Sequence, residues 1–126
     1  MIELIVVIVI LGVLAAVALP KFIDVRTNAQ TAALNGVTST LASAMSVNYG
    51  GCLVMAHVPT VGKCVLVNDC DGTSATGVKA VLHGGAVPAG YTVAAQALTS
   101  GVSTACTVTQ TSTGNTQTFD GIGAGF

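Results

Sequence analysis

Residues 1–19, MIELIVVIVILGVLAAVAL, contain one charged side chain, Glu3, and no other polar one. A helix that is apolar all round is buried in a large core or in a membrane. Crossing the hydrocarbon core takes roughly 20 apolar residues, so the run is a slightly short membrane helix. Pro20 and Lys21 close it. An acid in such a segment costs about 2.5–3.5 kcal/mol at the helix centre and less near an end, and marks a functional site by default. No cation lies within the run. The partner of Glu3 is therefore a chain terminus, a lipid headgroup or another copy of the molecule.

Set against 126 residues, the anchor leaves roughly a hundred for one domain with a modest core. The net charge is −1, with only four Lys and Arg, so no basic field invites nucleic acid or anionic lipid. Four cysteines in so small a domain point to disulfides and an oxidising compartment. A cleaved secretory signal would need a basic start and a shorter apolar core, and residues 14–18 only mimic a cleavage site. Lys21 and Arg26 follow the run, which alone would place the C-terminal side in the cytoplasm. That conflicts with the cysteines, and a basic leader ahead of Met1 would remove the conflict.

Beyond the run the helical pattern continues but becomes amphipathic. Phe22, Val25, Ala29, Ala33, Val37, Leu41, Ala44 and Asn48 recur at three- and four-residue spacing, and Leu34, Met45 and Val47 widen the stripe. Asn48-Tyr49-Gly50-Gly51 reads as the stop. Pro20 predicts a kink or local opening, because it removes a backbone donor. Residues 63–67 form a short apolar, β-like run. Residues 73–82 read as a short helix with Asp71, Thr73 or Ser74 as N-cap. Residues 91–98, 104–111 and 116–122 are three strand candidates separated by turns. The expectation is an α+β fold, a long kinked N-terminal helix packed on a small antiparallel sheet with disulfide-stapled loops. Its parts are an anchor at 1–21, an amphipathic continuation at 22–50 and a head at 51–126.

Cys52, Cys64, Cys70 and Cys106 show no C-x-x-C, so no zinc or haem is expected. Three pairings are open. The preferred one joins Cys70 to Cys106, tying a turn to a strand, and Cys52 to Cys64, closing a local loop. Asn68-Asp69-Cys70-Asp71-Gly72 has a faint calcium-loop look but lacks the downstream acid, and a turn with a helix cap is the favoured reading. His57 and His83 are isolated and read as surface or loop residues. The Ser/Thr-rich stretch 107–118 reads first as exposed strand and turn, with O-glycans as the rival. No nucleophile–base set can be assembled and the five acids are scattered, so no enzyme and no cofactor are expected.

The segment MIELIVVIVILGVLAAVALPKF resembles the N-terminal segment of mature type IV pilins, especially the mannose-sensitive haemagglutinin-like group, over residues 1–26. A weaker likeness to the sheet region of small pilins lies in NDC, GGAVPAGYTV and CTVT. Residues 51–62 carry none. The resemblance implies that Glu3 is the family's acid, which pairs with the N-terminal amine of a neighbouring subunit during assembly. It implies that Gly12 and Pro20 are the helix-breaking positions between which the helix unwinds in filaments. The run would be a membrane anchor first and the filament core later. Family members carry two residues ahead of the position where Met1 stands, so those two and a basic leader are expected to precede it.

The function so implied is that of a major pilin. Such a chain forms a homopolymer, starts in the inner membrane of a Gram-negative cell, and ends in an extracellular filament. The implied partners are prepilin peptidase and the pilus assembly machinery, and the implied modification is methylation. The rivals are a type II secretion pseudopilin, a minor pilin, and a membrane-anchored surface binding module. Two pairs of cysteines and no convincing calcium site favour a pilin over a pseudopilin. A tethered module would have no need of Glu3.

Overall fold

The computed structural model describes residues 1–126. One helix, α1 (Ile2–Val54), is followed by a single 3-10 turn at Val78–Val81 and three strands, β1 (Tyr91–Val93), β2 (Ser103–Gln110) and β3 (Thr116–Ile122). The strands form one antiparallel sheet in the order β1-β2-β3. The chain divides into two compact units, Met1–Ala33 and Leu34–Phe126.

In the second unit, the C-terminal part of α1 packs on the sheet. Its buried residues are Leu34, Thr38, Leu41, Met45, Asn48 and Cys52, at alternating steps of four and three. This corrects the phase of the expected stripe. Leu41 and Asn48 are buried and Val37 and Ala44 half-buried, but Phe22, Val25, Ala29, Ala33 and Val47 are exposed. Leu34 and Met45, expected at the margin, sit at the centre. The pattern misleads at Thr38, whose hydroxyl donates to the Asn35 carbonyl at 2.8 Å. With its polar group satisfied inside the helix, Thr38 buries its methyl like an apolar residue.

The helix also runs past its expected stop. Gly50 and Gly51 lie within it, and it ends at Val54. Gly51 is needed for close approach, since a Cβ there would overlap the carbonyl oxygen of Lys63. The true terminator is a Schellman turn built without glycine. Ala56 adopts a left-handed φ of 50°, the His57 N–H reaches the Cys52 carbonyl at 2.8 Å, and the Ala56 N–H reaches that of Leu53 at 3.3 Å.

Residues 73–82 do not form the expected helix. Asp71 accepts from the Thr73 N–H at 2.7 Å, and the Ser74 hydroxyl oxygen accepts from the Thr76 N–H at 3.3 Å. These would-be caps close two local turns instead. Gly77 then packs so tightly that a Cβ would overlap the Asp71 carbonyl oxygen, and only the 3-10 turn remains. Residues 63–67 make isolated bridges, Thr60 with Cys64 and Val67 with Ala124, in place of a strand.

The sheet follows the alternation of its residues. On β2, Cys106, Val108 and Gln110 face inward, and on β3 Phe119 and Gly121 do. Cys106 pairs with Phe119 and Val108 with Gln117. β1 is shorter than expected because residues 96–98 turn to another partner. The Cys70 N–H donates to the Gln96 carbonyl and the Leu98 N–H to that of Asn68, both at 2.9 Å. Leu34, Leu41, Met45, Val67, Val78, Val93, Leu98, Val108 and Phe119 make one core with Cys70 and Cys106. Each such side chain withdrawn from water contributes about 1.5–3 kcal/mol.

Candidate assembly surface

The N-terminal unit buries nothing within itself. Residues 1–29 are all exposed, and the most apolar window of α1 has a mean hydropathy of 3.1. Thirteen large aliphatic residues between Ile2 and Leu19 are each more than half exposed. Covering them is worth on the order of 10–20 kcal/mol, taking about half the usual value per side chain. Soluble monomers rarely leave more than a few hundred Å² of contiguous apolar surface open. By length and composition α1 can cross a membrane.

Glu3 stands in the first turn of α1, where a negative side chain complements the helix dipole. The first intrahelical bond joins the Ile5 N–H to the Met1 carbonyl at 3.3 Å. Gly12 is helical, and a Cβ added there would meet nothing within 4 Å, so no contact within the chain demands a glycine. Pro20 lies inside the helix, which continues across it. Pro20 cannot donate to the carbonyl four residues earlier, so the ladder lacks a rung there. Downstream, the Thr27 and Thr31 hydroxyls donate to the carbonyls of Ile23 and Thr27 at 3.3 and 3.1 Å.

The four cysteines form two disulfides. Cys52 joins Cys64 with Cα atoms 4.5 Å apart, and Cys70 joins Cys106 at 5.8 Å. The first closes a loop from the end of α1, and the second ties the 68–72 turn to β2. Gly121 lets β3 pass the second bridge, since a Cβ there would overlap the Cys106 sulfur.

Asn48, which the sequence places on the helical stripe and at the expected stop, has a role that neither reading contains. Its side-chain Nδ2 donates to the Val65 carbonyl at 2.8 Å, and its Oδ1 accepts from the Val65 N–H at 2.8 Å. The amide acts as a one-residue strand partner for the loop. The available signal was an asparagine on an apolar helical stripe.

The acids of the 68–72 turn are engaged with backbone. Asp69 accepts from the N–H groups of Asp71 and Gln96 at 2.7 and 3.1 Å. The Thr73 N–H, and then its hydroxyl, hold the Asp71 carboxyl below its usual range, with Lys79 adding a smaller effect. His57 accepts weakly from the Gly125 N–H at 3.4 Å and lies beside Tyr49. His83 is exposed on the wall of an open groove of about 630 Å³, with Lys63 also on the lining.

Compared with known proteins, the chain matches no family model, no curated protein and no solved structure. The class is therefore defined by architecture alone. It is an α+β, pilin-like fold, with a long N-terminal helix, a three-stranded antiparallel sheet and two disulfides in loops.

Proposed function

We propose that the chain is a type IV pilin, the major structural subunit of a filament on the bacterial surface. The observation that carries this reading is the N-terminal part of α1, residues 2–29, whose apolar side chains are all exposed, with one carboxylate at its outer end, joined to a disulfide-bonded head. A membrane hides such a helix in the single subunit, and a bundle of identical helices hides it in a polymer. In the bundle Glu3 meets a cation from another copy, which offsets its desolvation. The subunit then resides in the inner membrane before assembly and in an extracellular filament afterwards.

The test is to shear surface material from cells that make this chain and image it for fibres containing it. Glu3→Ala is then expected to insert into the membrane as well as the parent and to assemble poorly. Abundant normal filaments from the variant, in a strain lacking the parent chain, would refute the role given to Glu3. Cells that display the chain only as a single anchored copy would overturn the filament reading itself.

A further inference from the structure

On the head, α1 presents Thr40, Ser43, Ala44 and Val47 along one wall of the open groove. Their spacing of three and four places them on a single helical face. Across from them lie Lys63, Val65, Val81, Leu82 and His83. Aliphatic side chains make up about half of the lining, Lys63 brings its one positive charge, and no carboxylate is among the lining residues. The groove is thus shaped and charged for an apolar segment that carries an acid.

The chain itself contains such a segment. Pro20, Ile23, Asp24 and Thr27 recur at the same three- and four-residue spacing and share one face of α1. Ile23 is 64% exposed, and Asp24 is exposed beside it. Of the nearby cations, Arg26 points about 110° away from the centre of that face, and Lys21 flanks its Asp24 edge about 60° from the carboxylate, at 3.6 residues per turn. Asp24 therefore lies between Lys21 of its own helix and the Lys63 side of the groove. The Thr27 hydroxyl is turned inward to the Ile23 carbonyl, so this face brings no unpaired hydroxyl to an apolar wall.

Resting on the filament reading, we propose that this groove receives the Pro20–Thr27 face of a second copy, with Asp24 of that copy paired to Lys63. Ile23 lies against Val47 and Val81, and the small side chains of Thr40, Ser43 and Ala44 let the two helices approach closely. The contact joins different patches of two identical chains, which is the heterologous geometry that propagates as an open helix instead of closing as a dimer. An exposed ion pair alone contributes little. Repeated at every subunit along a filament, it fixes register through many copies.

Zero-length carbodiimide coupling of sheared filaments tests the contact. The expected product is an amide between the Asp24 carboxyl and the Lys63 amine of different chains, found by peptide mapping of a dimer band. Asp24→Lys and Lys63→Asp are each expected to lower filament yield about tenfold, since like charges then face each other, and the double swap to restore most of it. Both residues are exposed, so the unfolding midpoint of the unassembled subunit stays unchanged. Filaments that lack this cross-link and tolerate the single reversals overturn the contact and leave the filament reading intact. Filaments lost in the single variants and not restored in the swap also overturn it. No filaments from the parent chain would overturn both. Binding of a simple aliphatic carboxylate such as decanoate in the groove of assembled filaments would show the groove to be open there, and would count against the proposal.

Discussion

Removing the Asn48 side chain is expected to cost the head far more than its volume suggests. Asn48→Ala deletes both bonds to Val65, each 2.8 Å long, and leaves a backbone N–H and a carbonyl without partners. An unsatisfied buried polar group costs about 1–3 kcal/mol. Asn48 is 8% exposed and Val65 is half-buried, so water reaches the orphaned groups only in part. The loss should fall at about 2–4 kcal/mol, or a factor of 30 or more in the folding equilibrium. Urea unfolding of the full chain in detergent, followed by tyrosine fluorescence and far-UV circular dichroism, measures it. Amide hydrogen exchange at Val65 reads the same bond locally. Asn48→Asp keeps the acceptor facing the Val65 N–H but sets a second oxygen against the Val65 carbonyl. Protonation turns that oxygen into a donor, so the deficit of this variant should shrink as the pH falls toward 4. A cost below about 0.5 kcal/mol for Asn48→Ala, with the Val65 amide still protected, would refute the clamp.

Further outcomes follow from other contacts. Replacing both cysteines of a bridge with serine should cost about 4 kcal/mol for Cys70–Cys106 and about 3 for Cys52–Cys64, from loop lengths of 36 and 12 residues, in the same urea experiment. Gly121→Ala should destabilise the head by about 1–3 kcal/mol, because the new methyl overlaps the Cys106 sulfur. Gly36→Ala meets open space in a helix and should stabilise the unassembled subunit by about 0.5–1 kcal/mol. The Asp71 carboxyl, lowered from 3.8 by the Thr73 N–H and hydroxyl, contributes stability above its unfolded value and loses it as the pH falls through the lower, folded one. Thr73→Val should move the Asp71 midpoint upward in a carboxyl-carbon NMR titration, and an unmoved midpoint would exclude the hydroxyl as a cause.

What the sequence made legible was whatever repeats or excludes. The apolar run at 1–19 excludes a water-facing helix, and it is exposed in the single chain. The alternation around Cys106 and Val108, and around Phe119, placed β2 and β3 to within a residue. The rest was hidden where backbone and side chain trade roles. Thr38 satisfies its own hydroxyl and reads as polar, so the spacing selects Ala33, Val37 and Ala44, one position before the buried Leu34, Thr38 and Met45. Gly50 and Gly51 look like a stop and are a close approach. Asp71 and Ser74 look like helix caps and close turns instead. Glu3 and Pro20 stand out in the sequence as exceptions to their apolar surroundings, and Gly12 draws attention through the pilin resemblance. The place of Asn48 on the stripe is legible, but its clamp is not, because its partner is the backbone of Val65, seventeen residues away.

On the filament reading, the apolar run cannot by itself drive the subunit out of the membrane. Lipid tails are about as apolar as leucine, so moving Leu4, Ile5 or Val9 from bilayer to filament core changes little hydrophobic free energy. The transfer needs interactions that are poor in lipid and good between copies. Glu3 is the one side chain in residues 1–19 that fits this description, because its cost in hydrocarbon is reduced when another copy supplies a cation. The sum available is small per subunit, about 2.5–3.5 kcal/mol at most from the acid. The head must then add its share through contacts such as the groove lined by Lys63. A substitution that makes residues 1–19 more apolar would accordingly strengthen the membrane state and the filament core alike. A change at Glu3, at Asp24 or on the head would alter the balance between them.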